Sequence, residues 1–140
     1  MARLALRELC GYRSGDKGDI VNVAIFADDD ETYAVIVQEV TAERVKAHFG
    51  SMVRGRVDRY EAANVRALNF VMQGALDGGG PRSLRADNLG KSLGGALVRL
   101  EIDVPDSMAG RLRMCRSRLR LRLPPREKST ARRRRLAEPR

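Results

Sequence analysis

The chain has no tryptophan, a single histidine and two cysteines in 140 residues, and aromatic side chains make up only 4% of it. Each scarcity closes off a class of function. Stacking single-stranded nucleic acid requires several exposed aromatic faces, so this composition argues against such a platform in the body of the chain. His48 stands alone, and Cys10 and Cys115 lie far apart without C-x-x-C spacing, so the residues for a Cys/His metal set are missing. Both cysteines read as reduced thiols. The segment from Met1 to Leu9 alternates charged and apolar residues, and no apolar run approaches the roughly 18 residues of a bilayer-spanning helix. The expectation is a cytoplasmic protein with no membrane contact, no metal and no cofactor.

Charge is abundant but unevenly placed. The formal net charge is +9, yet residues 1–104 hold 14 Lys+Arg against 15 Asp+Glu, while residues 105–140 hold 13 against 3. The body is therefore −1 and the tail +10, so any polyanion argument concerns the tail alone. The expected organisation is one domain over residues 1–104, long enough to bury a core, and a basic, largely disordered tail over 105–140. Within the tail, Arg118 to Leu123 alternates Arg and Leu, which suits an added edge strand or an amphipathic contact.

The most chemically loaded stretch of the body is Arg13 to Asn22, R-S-G-D-K-G-D-I-V-N. It reads as a charged loop at the end of a strand: Arg13, Asp16, Lys17 and Asp19 supply both signs, and Gly15 and Gly18 permit positive φ or close approach. A plain Gly/Asp/Lys turn has the same composition. Asp16, Lys17 and Asp19 are the candidates for acid–base chemistry, or else a salt-bridged structural cluster. Around this stretch, residues 3–12 suggest a half-buried strand, and Ile20 to Ala27 is β-branched enough for a central one. Asn22 interrupts it, and an unpaired buried amide would cost roughly 1–3 kcal/mol.

Further along, the acids of 28–31 followed by apolar residues at helical spacing favour a helix over 32–40, although the same residues also alternate as a strand. Thr41 as N-cap and Gly50 as stop delimit a second helix, on which His48 reads as structural. Residues 53–62 and 65–72 suggest a hairpin around Asn64, although the second segment also suits a helix by composition, with Asn69 a second amide within an apolar run. Residues 96–104 alternate apolar and polar and are expected as a strand, ended by Pro105. Between these lies a long loop in which Gly78, Gly79 and Gly80 precede Arg82, Ser83, Arg85 and Lys91. Glycine N–H groups, a hydroxyl and cations in one loop suit an anion, but a mobile surface loop has the same composition. The pattern matches neither a P-loop nor G-x-G-x-x-G.

Four segments, R-S-G-D-K-G-D-I-V-N (13–22), T-A-E-R-V-K-A-H-F-G (41–50), R-A-L-N-F-V (66–71) and G-G-G-P-R-S-L-R-A-D-N-L-G-K-S-L-G (78–94), resemble in this order the ferredoxin-fold domain of the AtuA family, tied by name to acyclic terpene utilisation. The resemblance covers most of residues 5–104 and leaves the tail outside. It implies an α+β ferredoxin-like sandwich, one mainly antiparallel sheet with helices on one face. It also implies a shared surface made of Arg13 to Asp19, Asn22, Asn69 and the Gly78 to Lys91 loop. On that surface Arg13, Ser14, Gly15, Lys17, Gly18, Asn22, Asn69, Gly78, Gly79, Gly80, Arg82, Ser83, Arg85 and Lys91 are the expected ligand-binding residues. Larger members look to carry this domain behind a bigger, catalytic-looking one that acts with branched acyl-CoA substrates.

Three functions follow. The first is an accessory subunit that binds an acyl-CoA or other carboxylate together with a larger AtuA-like partner. The second is a non-enzymatic module that homo-oligomerises. The third is non-specific, salt-sensitive nucleic-acid binding through the tail.

Overall fold

The computed structural model describes residues 1–122, with side chains to residue 115. Its centre is a four-stranded antiparallel sheet. Strand β2 (Cys10–Lys17) and β3 (Ile20–Ala27) form one hairpin, β4 (Val57–Ala62) and β5 (Ala67–Gln73) another, and the order across the sheet is β2-β3-β5-β4. The two hairpins join through β3 and β5, in a register that sets Asn22 opposite Val71 and Ala24 opposite Asn69. Alternation along these strands decides the core. Val21, Val23 and Ile25 of β3 and Leu68, Phe70 and Met72 of β5 are at most 1% exposed, and each contributes about 1.5–3 kcal/mol by leaving water.

Helices α1 (Asp30–Glu39), α2 (Ala42–Phe49) and α3 (Leu93–Leu97) bury Ile36, Val45, Phe49, Leu93 and Leu97 in the same core. The acidic run does begin a helix: Asp29 caps it, its carboxylate accepting from the Thr32 N–H at 2.7 Å. Thr41 caps α2 through the Arg44 N–H, and Gly50, with φ +55, ends it. Arg59 reaches across from β4 and donates to the Val37 and Val40 carbonyls at 2.7 and 3.1 Å, closing the C-terminal end of α1. The architecture is thus α+β, with an antiparallel sheet and helices packed on it.

Several expectations are corrected. The charged stretch is not a loop: Arg13 to Lys17 is ladder-paired strand, and only Gly18 and Asp19 turn. The single strand expected over 3–12 is broken by a 3-10 turn at Leu6–Glu8 into β1 (Ala2–Ala5) and β2, because Leu6 and Leu9 are both drawn into the core. The first hairpin strand of 53–62 shortens to Val57–Ala62.

The alternation of 96–104 yields strand only in β6 (Glu101–Val104), which pairs antiparallel with β1 as a separate two-stranded sheet. Its first part belongs to α3, where Leu93 and Leu97, four apart, face the core together. Beyond Pro105, helix α4 (Asp106–Arg122) replaces the expected irregular chain and excludes an edge strand over 118–122. Its first two turns are held by burial of Met108 and Ala109, at 1% exposure each, and by an ion pair from Arg111 to Glu31 at 2.6 Å. The rest of the tail expectation, residues 123–140, lies outside the described residues.

Candidate functional site

The β2–β3 turn has Gly18 at φ +61 as the first of its two residues, the pattern of a tight type II′ hairpin. That turn docks on the glycine loop. The Asp19 carbonyl accepts from the Ala75 N–H at 3.1 Å, and its carboxylate accepts from the Leu76 N–H at 2.8 Å. Gly79, at φ +98, lies so close that a Cβ there would stand 3.0 Å from the Gly18 carbonyl oxygen. Lys91 completes the join: its carbonyl accepts from the Ser14 hydroxyl at 2.8 Å, and its ammonium meets Asp16 at 2.8 Å. The two polar stretches are therefore side by side, as the sequence suggested.

They do not form one surface. Strand alternation sends Ser14 and Asp16 toward the helix side, where Lys91 meets them, and Arg13, Gly15 and Lys17 to the opposite face of the sheet. There Gly15 pairs with Asn22, whose side chain lies over it, and the Asn22 amide N–H donates to the Asn69 side-chain Oδ1 at 3.4 Å. Asn22 is exposed, so its amide is not the buried liability expected from the sequence. Ile20, Phe26 and Tyr60 are also exposed on this face, at 39%, 39% and 56%. Among the described residues, the helices pack on the other side of the sheet and leave this one open.

Within the loop, Ser83 accepts from the Arg85 N–H, and Arg85 donates to the Ala75 carbonyl at 2.6 Å. Gly78 lies against Arg82, while Gly80 accepts from the Asn88 amide at 3.1 Å. Arg82 is exposed, as is Lys17 beside the turn. Half of the body's 14 cations are committed: Arg3, Arg44, Arg54, Arg56, Arg59, Arg66 and Lys91 all have carboxylate partners. Among the described residues Arg13, Lys17 and Arg82 have none, nor do Arg7 and Arg99, while Lys46 and Arg85 donate to main-chain carbonyls instead.

The sequence model of one protein family, the AtuA ferredoxin-like domain, matches residues 4–103. The chain belongs to this family. No curated protein and no solved structure matches it. The match in this AtuA ferredoxin-like domain spans the hairpin, the glycine loop and all six strands except the ends of the β1–β6 pair.

A cleft of about 630 Å³ opens beside the glycine loop, lined by Phe49, Met52, Leu76 and Leu93 with Arg54, Arg85, Asp87 and Ser92. Only Arg85 of these was foreseen. Arg54 is held by Asp77 at 2.7 Å, and an isolated Arg among charges carries no signal in the sequence that it will line a cleft. Burial pushes the Asp87 carboxyl up, but the Ser92 hydroxyl and N–H and the N–H groups of Lys91 and Gly90 outweigh it and hold the group below its ordinary 3.8.

His48 bonds the Ala96 carbonyl at 2.9 Å and tethers α2 to α3. The Cys10 thiol is pushed up to about 12, by burial first and by the Asp28 charge second, and donates to the Leu6 carbonyl, so it is no nucleophile. Asp19, one of three acid–base candidates, spends its carboxylate on a main-chain N–H. Asp16 is paired with Lys91, and Lys17 remains exposed.

Proposed function

We propose that this AtuA ferredoxin-like domain acts as the small part of a two-part assembly. It docks through its open sheet face on a larger AtuA-like subunit and supplies cations for an acyl-CoA or other carboxylate substrate. The observation that carries the reading is the pattern of charge pairing. In a body of net −1 that neutralises half of its cations, Arg13, Lys17 and Arg82 are left without carboxylates, Lys17 next to the turn at Gly18 and Arg82 against Gly78 of the loop docked on it. Unpaired guanidinium and ammonium groups beside glycine backbone suit carboxylate or phosphate oxygens. The exposed Ile20, Phe26 and Tyr60 beside them give the face the aromatic and apolar content of an interface.

In this reading Asp16, Asp19 and Lys91 build the scaffold, and Asn22 and Asn69 shape the contact face. Acid–base chemistry, if the assembly performs it, falls to the partner. Charge reversal at Lys17 and at Arg82 is the test. Each variant should retain the parent's circular dichroism and melting temperature while the assembly loses at least tenfold in affinity for an acyl-CoA, the scale expected for one charge-assisted contact. If both variants bind as the parent does, the proposal is wrong.

A further inference from the structure

A second set of unpaired cations lies away from the hairpin tip. Arg7 and Arg99 are brought together because the 3-10 turn at Leu6–Glu8 hydrogen-bonds to the chain after α3: the Leu6 N–H donates to the Leu100 carbonyl at 2.9 Å and the Arg7 N–H to the Val98 carbonyl at 2.8 Å. Both arginines are exposed, and neither has a carboxylate partner among the described residues. They line a groove of about 560 Å³ with Tyr12, Ser92, Gly95 and Ala96, and no Asp or Glu lines it. Two like charges held at one groove without a counter-ion repel each other, and an anion between them removes that cost.

Tyr12 adds a neutral donor. Its ring lies on Gly94, where a Cβ would come within 2.4 Å of the ring, and its hydroxyl would be 3.2 Å from a Cβ on Gly95. The glycine pair thus makes room for the phenol at the groove floor. The Tyr12 hydroxyl has no hydrogen-bond partner among the described residues, whereas the Ser92 hydroxyl already donates to Asp87. Ser92 and Ala96 line both this groove and the larger cleft, whose apolar wall is Phe49, Met52, Leu76 and Leu93 and whose polar side is Arg54, Arg85 and Asp87, so the two cavities meet at α3.

We propose that the groove binds a phosphate group through Arg7, Arg99 and the Tyr12 hydroxyl, and that the adjoining cleft takes an apolar arm esterified to it. The ligand class is a phosphate monoester of an apolar alcohol. Guanidinium groups present paired N–H donors to tetrahedral oxygens, and the apolar cleft supplies the transfer energy for the chain. This site is separate from Arg13, Lys17 and Arg82, and stands or falls independently of the assembly reading.

The test uses the full chain and hexyl phosphate, with inorganic phosphate as comparator, followed by NMR at the Gly95 amide and the Met52 methyl. These local signals separate the groove from phosphate bound by the basic tail. Hexyl phosphate should move both signals saturably, and inorganic phosphate the Gly95 amide alone, with weaker affinity. Arg7→Gln and Arg99→Gln should each weaken binding about tenfold or more, and Tyr12→Phe by a few fold with the melting temperature retained. Lys17→Gln with Arg82→Gln should leave the Gly95 titration unchanged. A Gly95 amide that stays still up to about 10 mM ligand, or a double arginine variant that titrates like the parent, overturns the proposal. A Met52 methyl that does not respond to hexyl phosphate overturns the apolar arm.

Discussion

Asp19→Ala separates the structural reading of the hairpin tip from a catalytic one. The carboxylate accepts the Leu76 N–H at 2.8 Å, and Leu76 itself is 1% exposed, so truncation leaves a main-chain donor without its partner beneath the turn. Losing a partly buried acceptor of this kind costs about 1–3 kcal/mol. In a chain of this size that corresponds to a fall of about 4–12 °C in melting temperature. Asp19→Asn keeps an oxygen at the same place and loses only the charge assistance, so it should cost well under half as much.

Urea unfolding gives the two free energies, and hydrogen exchange gives the local one: the Leu76 amide should lose protection in the alanine variant and retain most of it in the asparagine variant. A general base would behave differently, because asparagine would abolish its chemistry while sparing stability. The reasoning is refuted if Asp19→Ala unfolds at the parent midpoint, or if asparagine is as costly as alanine.

Other residues give sharper contrasts. Gly90→Ala should destabilise by about 2–5 kcal/mol in urea, since alanine at φ +65 is strained and its Cβ would stand 2.6 Å from Val21 Cγ2, between Leu76 and Leu93. At pH 8, iodoacetamide should label exposed Cys115 readily and Cys10, with its pKa near 12, only on unfolding, as read by mass spectrometry. Asp87 is held below 3.8 when folded, so below that value the unfolded chain binds more protons than the folded one. Its contribution is present above 3.8 and is lost as pH falls through the lower folded value. Asp87→Asn should therefore flatten the pH dependence of urea stability in that acid window and remove stability above it.

The helices with side-chain caps were legible in the sequence because the capping atoms are local: Asp29 and Thr41 each serve an N–H three residues on. Strand β3 was legible because its β-branched run is continuous. The alternation of 96–104 misled because Ala96 and Val98 fit period 2 with the residues of β6, while Leu97 fits the four-residue helical spacing from Leu93, and tertiary packing of Leu93 with Leu97 made the choice. At the site, composition identified both glycine-containing stretches and their adjacency. It could not assign faces, because one residue of register separates Ser14 and Asp16 from Arg13 and Lys17. Arg7, Tyr12 and Arg99 went unnoticed for a related reason: they are brought together only by the docking of the 3-10 turn on the chain after α3.

The two-part assembly is tested most directly by affinity capture with the full chain in native-host lysate, washed at about 0.5 M salt to strip polyanions from the basic tail. The parent should retain a larger AtuA-like polypeptide in near-equal amount, and a Phe26→Glu/Tyr60→Glu variant, altered only on the open sheet face, should lose it. Recovery of the parent alone as a defined oligomer, or a partner retained equally by the variant, would contradict the account.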